Sequence, residues 1–424
     1  MTVSAPPAPQ SIRDTGLGDG FLMDLLLKNI YRLAQERPSD MAAELRLGLP
    51  IIEDVIALAR EAKLVQTLGS LGASMSAELR YELTDAGRAW AVDALKQSEY
   101  IGPAPVPLPR FIDQVGRQRI RNEIITRTQL AKVLQTLTLS QELADAVGPA
   151  ANSAASMLLY GPPGNGKSSI ATAICAAFED VVFIPHAIEV DRQVITVYDN
   201  TIHSTVKLKE ESGGLRAQRG YDRRYQVCKR PIVITGGELT IDMLDLSFNP
   251  VSRVYEAPAQ LKAAGGVFVI DDFGRQREQP QALINRWIVP LENGVDYLML
   301  QSGRKFEAPF DTLVIFSTNI PPRQLVDDAA LRRLRHKIEM PRPDRDAFIR
   351  IFVETARRRK VPIDEKILRY ILVELYEASG QDFAGFHPGF LIDQATAICA
   401  YEESATELTP NVLKRAWSNL FTTA

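Results

Sequence analysis

The stretch Leu158 to Ser169, LLYGPPGNGKSS, has the residue types and spacing to hold a phosphate chain. An apolar run enters a turn in which Gly161, Gly164 and Gly166 carry no side chains. Successive backbone N–H groups can therefore close around an anion at the positive end of the helix that starts near Lys167. Lys167 then reaches the β- and γ-phosphates, and Ser168 offers the hydroxyl that a Mg²⁺ ion takes. Ser169, Ala171 and Ala173 are small enough for that helix to pack closely on a sheet.

Three further stretches carry complementary chemistry. GGVFVIDD, Gly265 to Asp272, ends in two acids at the C-terminal tip of an apolar strand, where ligands of open α/β sheets sit. Asp271 can hold Mg²⁺ through water, and Asp272 can polarise the water that attacks a γ-phosphate. DTLVIFSTN ends in Ser317, Thr318 and Asn319, and a polar amide at that tip can orient the same water. DDAALRRLRHKIEMPRPD places Arg332, Arg333, Arg335 and His336 on a short helix and its exit. These are either solvated charge or a source of one arginine that stabilises transition-state charge in a neighbouring subunit.

The elements that must position these groups alternate. From Phe111 onward apolar strands, among them VVFIPHAI and PIVITGG, are separated by helical patterns, which implies a parallel sheet covered on both faces. After Pro341 and Pro343 the pattern is helical throughout, with Asp344, Asp364 and Thr409 placed as N-caps of three of four helices, enough for a small bundle.

In this order the motifs resemble those of the AAA+ ATPases over residues 111–424. GPPGNGKS is similar to that family's Walker A, VFVIDD to Walker B, FSTN to sensor 1, and ALRRLRHKIEMPRPD to the segment carrying the arginine finger. The resemblance implies a P-loop NTPase fold with an α-helical lid over 341–424, and ATP with Mg²⁺ as cofactors. Nucleotide contacts would come from Gly161, Pro162, Pro163, Gly164, Asn165, Gly166, Lys167, Ser168 and Ser169, and metal contacts from Ser168 and Asp271. The catalytic set would be Lys167, Asp272, Asn319 and Arg333, with Arg332 and Arg335 as the other finger candidates. It also implies a homo-oligomeric ring, commonly a hexamer, with ATP between subunits. QALINRWIVPLENGVDYLMLQSGRKFEAPFDTLVIFSTN resembles the helix and inserted β-hairpin that precede sensor 1 in MoxR-like proteins and bacterial enhancer-binding activators, and LKAAGGVFVIDD looks like the MoxR-type approach to Walker B. The chain departs from the family at two places: Asp272 stands where glutamate is general, and Gly389 stands in the lid where many relatives carry a sensor 2 arginine, with His387 nearby.

Ahead of this engine, residues 1–18 are rich in Pro, Ser and Gly and read as a mobile tail. Residues 19–100 read as three helices, a hairpin and a closing helix capped by Asp85; the second helix starts with a Ser cap in SDMAAELRLG. That is the order of a winged helix-turn-helix, and YELTDAGR resembles its wing-to-helix passage. The first hundred residues hold ten basic against fourteen acidic side chains, and the would-be recognition helix opens with Glu53 and Asp54, which phosphates repel. Docking to protein is therefore favoured over DNA. Prolines 103, 105, 107 and 109 mark 101–110 as a semi-rigid linker. Within 111–340 an insertion spans 191–230, with nine basic and five acidic residues; RQVITVYD and STVKLKEE are expected to pair, with Ser212, Gly213 and Gly214 in a loop beyond. Its end gathers Arg216, Arg219, Arg223, Arg224, Lys229 and Arg230 around Tyr221 and Tyr225, a composition suited to a solvated loop, to grasping an acidic peptide, or to stacking on nucleic acid.

At 424 residues with 46% hydrophobic and 24% charged side chains, the chain has the makeup of a multidomain globular protein. No apolar run is long enough to span a bilayer, so a cytoplasmic location without membrane partners is expected. Cys175, Cys228 and Cys399 have neither disulfide nor zinc spacing. The reading is an ATP hydrolase that remodels a protein client as a ring. The rivals are a DNA-linked or transcription-associated motor using the winged helix, and a nucleotide-gated scaffold with little turnover.

Overall fold

A computed structural model describes residues 3–70, 78–135, 137, 141–207 and 220–421. The amino-terminal helices are α1 (Ile12–Thr15), α2 (Asp19–Leu33), α3 (Pro38–Leu45) and α4 (Leu49–Glu61). A hairpin of β1 (Val65–Ser70) and β2 (Leu79–Leu83) and then α5 (Asp85–Gln97) complete the expected order around a core of Leu22, Leu26, Ile52 and Val55. Two caps differ from expectation. Thr84 rather than Asp85 caps α5, because its hydroxyl accepts from Gly87 N at 3.1 Å. The second helix of the module, α3, starts at Pro38, whose ring presets the first helical φ, so Ser39 lies inside it.

The tail and the linker are both held. Gln114 Nε2 donates to Ser4 O at 3.2 Å, Asp222 N donates to Pro6 O at 2.9 Å, and Leu17 is buried in the amino-terminal core. The expected mobile tail is thus tied down over its described residues by backbone bonds that composition does not reveal. In the Pro-rich segment Tyr100 Oη donates to Pro103 O at 2.7 Å, Ala104 N donates to Leu45 O at 2.9 Å, and β3 (Val106–Pro107) is buried.

Next come α6 (Leu108–Arg117), α7 (Arg127–Leu134), α8 (Gln141–Asn152), β4 (Met157–Tyr160) and α9 (Lys167–Ala177). The following strands are β5 (Val181–Pro185), β6 (Ala187–Val190), β7 (Gln193–Thr196) and β8 (Tyr225–Lys229), and none of them joins the central sheet. This corrects the expected place of VVFIP in the parallel sheet: β5 is buried, but it pairs antiparallel with β8. An apolar run signals burial without saying against what. The central sheet resumes at β9 (Ile232–Thr235), after which β10 (Ser247–Asn249) and β11 (Val254–Glu256) close a second five-stranded sheet in the order β10-β11-β7-β6-β3.

The chain continues through α10 (Ala259–Lys262), β12 (Val267–Ile270) and α11 (Pro280–Asn293) into the hairpin β13 (Val295–Met299) and β14 (Lys305–Pro309). It then forms β15 (Leu313–Thr318), α12 (Pro322–Leu325), α13 (Asp328–Arg333) and β16 (His336–Glu339). The central sheet runs β16-β4-β15-β12-β9, all parallel. Ile170, Ile174, Leu130 and Val147 cover one face, and Leu283, Ile284, Trp287 and Leu331 cover the other. One face of the expected hairpin, Leu298 and Phe306, packs into the core of the second sheet with Phe183, Ile195 and Tyr255. The lid comprises α14 (Arg345–Arg358), α15 (Glu365–Tyr370) continuing as a π-helical stretch (Ile371–Glu377), α16 (His387–Tyr401) and α17 (Pro410–Leu420), with Asp344, Asp364 and Thr409 capping as expected.

The insertion also differs from its expectation. Ser204–Lys207 runs beside β8, with Val206 N donating to Val227 O and Lys229 N to Ser204 O, both at 2.9 Å; RQVITVYD pairs instead through β7 with β6. Ser212, Gly213, Gly214, Arg216 and Arg219 lie outside the described residues. Two of the basic residues gathered at its end are structural. Arg224 is fully buried and bidentate to Asp222, and its Nη1 donates to Thr15 O at 3.0 Å and Pro105 O at 3.2 Å. Arg230 pairs with Glu123 at 2.7 Å and donates to Gln118 O and Gly265 O. Tyr225 is buried, Tyr221 sits edge-on to Phe183, and Arg223 and Lys229 remain exposed.

Because Arg224 ties α1, the linker and β8 together, Arg224→Met strands a buried carboxylate. It should cost about 3–5 kcal/mol, read as an early thermal transition of the full-length protein, and adding Asp222→Leu should recover part of the loss. An unchanged melting profile for the single variant would remove the keystone role.

Candidate functional site

The phosphate-loop residues, both acids and the polar tip all lie at the carboxyl end of the central sheet. β4, β15 and β12 are neighbours in parallel register, with Tyr160 opposite Thr318 and Phe316 opposite Ile270. The loop leaving β4, Asn319 leaving β15 and Asp271–Asp272 leaving β12 therefore emerge side by side. They border a cleft of about 800 Å³ between the sheet and the lid, lined by residues 163–169 with Asp271, Asp272 and Asn319.

Two glycines are dictated by close approach. A β-carbon on Gly161 would lie 2.3 Å from Met340 O, and one on Gly164 would lie 2.1 Å from the Phe386 ring; both residues have positive φ. No side chain caps the start of α9, so its first amides remain open towards the cleft. Lys167 is buried, and its Nζ donates to Gly161 O at 3.0 Å, Pro162 O at 2.9 Å and Asn319 Oδ1 at 2.6 Å. Burial lowers its pKa, while Asp271 and Asp272 pull in the other direction. Ser168 Oγ donates to Asp271 Oδ2 at 2.6 Å, and Asn319 Nδ2 donates to Asp272 Oδ1 at 3.3 Å.

The acidic turn is rigidly seated. Asp271 N donates to Thr235 O and Phe273 N to Ser317 O, both at 2.7 Å, and Thr318 Oγ1 donates to Phe273 O at 2.6 Å. Asp272 has φ +48°, a left-handed conformation that aspartate tolerates better than most residues.

Asn165 ties the loop to its surroundings: Nδ2 donates to Pro341 O at 3.2 Å, and Oδ1 accepts from Gly385 N at 3.1 Å. The lid therefore touches the phosphate loop directly, through Asn165 and through Phe386 over Gly164. His387, near Gly389 in sequence, lies outside the cleft lining. It is buried, bonded through Nδ1 to Tyr376 Oη at 2.8 Å and packed on Phe386 and Phe421; burial lowers its pKa to about 4.

Arg333 lies apart from the other expected catalytic residues, Lys167, Asp272 and Asn319. It ends α13, donates from Nη1 to Ala329 O at 2.7 Å, pairs with Glu292 at 3.0 Å, and is absent from the cleft lining, as are the exposed Arg332 and Arg335. Conversely, the cleft contains side chains that sequence reasoning passed over: Arg275 after the acidic turn, and Ile351, Thr355, Arg358 and Arg359 of α14 and its end. The basic run closing α14 was visible in the sequence, yet helical periodicity alone does not distinguish a solvated end from a roof over a cleft.

Residues 157–214 match the family model described as "ATPase family associated with various cellular activities (AAA)", and residues 344–419 match one described as "Domain of unknown function (DUF8689)". No curated protein matches the chain. Among solved structures, the chain is similar to NtrX from Brucella abortus, at 13% identity and TM-score 0.40, covering 80% of this chain and 68% of that one. It is also similar to a RuvB variant from Thermotoga maritima, at 12% identity and TM-score 0.36, covering 71% and 73%. Neither likeness bears on activity. The parallel sheet, the loop geometry and the family match over 157–214 define an α/β P-loop NTPase of the AAA+ class. It binds nucleotide and is an ATP hydrolase. No helix among the described residues is long and apolar enough to cross a membrane.

Proposed function

We propose that this chain is a MoxR-like AAA+ ATPase that works as a homo-oligomeric ring, with ATP between subunits, and remodels a protein client. The observation that carries the reading is the meeting of Lys167, Ser168, Asp271, Asp272 and Asn319 in one cleft while Arg333 stays outside it. A ring supplies what one chain lacks, because a neighbouring subunit can bring Arg333 to the nucleotide held here. The α11 helix and the β13–β14 hairpin before β15 support the MoxR-like reading. The exposed Glu53 and Asp54 on α4 favour protein docking by a winged-helix module over 19–100.

Each side chain then has a task. Open amides of the loop and of α9 receive the phosphates, and Lys167 exchanges its loop carbonyls and Asn319 for the β- and γ-phosphate oxygens. Ser168 and Asp271 offer two hard oxygen donors already 2.6 Å apart, which fits Mg²⁺, an ion that takes one or two protein oxygens beside phosphate and water. When bound, Mg²⁺ neutralises charge on the phosphates. Asp272 accepts a hydrogen bond from the attacking water, and Asn319, already joined to both Lys167 and Asp272, fixes its direction.

Lys167→Ala should abolish nucleotide binding, read with a fluorescent ATP analogue; retained affinity would place the nucleotide elsewhere. Arg333→Ala should keep ATP binding and lower turnover by about 10³-fold or more, and unchanged turnover would move the finger to Arg332, Arg335 or another element. Asp272→Asn should stall with ATP bound and retain its client through purification. Recovery of duplex DNA in place of a protein would overturn the client class.

A further inference from the structure

Two adjoining cavities, of about 770 and 290 Å³, run between α2 and α4 of the amino-terminal module and share Asp19 and Leu58 in their linings. Together they make one groove. Leu17, Met23 and Ala57 join Leu58 in its apolar surface. Asp54 and Glu61 join Asp19 as its carboxylates, against Arg13. On α4, residues 54, 57, 58 and 61 stand at the i, i+3, i+4, i+7 spacing of one helical face, which therefore reads acid, alanine, leucine, acid. Asp19 and Met23 stand one turn apart on α2 and line the groove from that side.

These acids are not spent on the fold. Among the described residues Asp19, Asp54 and Glu61 make no ion pair. Asp19 opens α2, where the helix dipole favours an acid, whereas Glu61 closes α4, where the dipole disfavours one. Asp54 lies beyond the first turn of α4 and gains little from its dipole. Arg60 and Lys63, the basic residues nearest Glu61 in sequence, stay outside the lining.

An apolar strip between carboxylates matches the inverse arrangement on a helical ligand. We propose that the groove between α2 and α4 docks a basic amphipathic helix of the protein client. Its apolar stripe lies on Met23, Ala57 and Leu58, and its lysines or arginines meet Asp19, Asp54 and Glu61. A DNA duplex would bring phosphates to the same carboxylates and be repelled. This rests on the protein-docking reading of the amino-terminal module, and it fixes the chemistry of the docked segment. Salt screens attraction between exposed charges but not the burial of apolar surface, so the two parts of the contact have separate signatures.

The test uses the full-length protein and a fluorescein-labelled synthetic helix with leucines at i, i+3, i+4 and i+7 and lysines elsewhere, followed by fluorescence anisotropy. The wild-type chain should bind it saturably, and a scrambled peptide of the same composition about tenfold more weakly. Asp54→Lys combined with Glu61→Lys should weaken the helix about tenfold at low salt and much less at high salt, whereas Leu58→Gln should weaken it at both. Asp93→Lys, which reverses an exposed acid on α5 outside the groove, should bind as wild type does. Lysine is a good helix former and suits the end of α4, so Glu61→Lys should not lower the melting temperature, and binding lost in it is not folding lost. Equal weakening by Asp93→Lys, or a scrambled peptide bound as well as the helix, would reveal attraction to charge in general and overturn the groove. Self-association of the wild-type chain that Asp54→Lys abolishes would overturn it too, because the occupant would be a second copy. If the wild-type chain ignores both the peptide and duplex DNA, the groove alone falls; duplex DNA bound in place of the peptide takes the docking reading with it.

Discussion

The parallel register of β4, β15 and β12 is the constraint on which the site depends. Side chains alternate across a strand, and a slip of one residue would exchange the two buried faces of these strands and mismatch the packing on each. With Leu159 opposite Ser317 and Val269 opposite Ile315, all three strands stop at the same edge. The phosphate loop, Asn319 and the two aspartates thereby become neighbours without any one of them being near another in sequence. The hydrogen bonds Lys167–Asn319–Asp272 and Ser168–Asp271 follow from that edge, as does a cleft deep enough to bury Lys167.

A second sheet shapes the molecule around this engine. The segment from β5 to β8 departs from the central layer, recruits β3 from the linker and β10–β11 from farther along, and accepts one face of the β13–β14 hairpin. Two of its arginines are internal. Arg224 and Arg230 each meet a carboxylate and two carbonyls, the arrangement in which a planar guanidinium is better tolerated in a core than a lysine ammonium. Gln301 N donates to the Tyr255 hydroxyl at 2.9 Å, and Arg304 pairs with Asp191 at 3.0 Å. The hairpin is thus bonded to the insertion at its tip as well as packed on it along its inner face.

What the sequence disclosed and what it hid divide along a physical line. Local signals with a mechanism held: the glycine turn into a helix, the acids after an apolar strand, the caps at Asp344, Asp364 and Thr409, and the hairpin around Gly303. Statements about which partner a segment finds did not hold equally. VVFIP was legible as buried but not as leaving the sheet, and the basic end of the insertion was legible as charge but not as an internal clasp. The roof over the cleft, Arg358 and Arg359, required the relative placement of α14 and α9, which no periodicity encodes.

The same line explains Asp272, an acid one methylene shorter than glutamate. Its carboxylate sits one methylene closer to the backbone, so reach must come from the chain itself. The left-handed conformation at φ +48° supplies a change of backbone direction there, and the bond from Phe273 N to Ser317 O pins the following residue to the neighbouring strand. Asn319 Nδ2 meets the Asp272 carboxylate at 3.3 Å while its Oδ1 accepts from Lys167. One amide thus links the Asp272 carboxylate to the Lys167 ammonium, so that a movement of Lys167 must disturb the contacts of both. The shortened acid and the amide beside it are best understood as one unit, set by the common edge of β12 and β15.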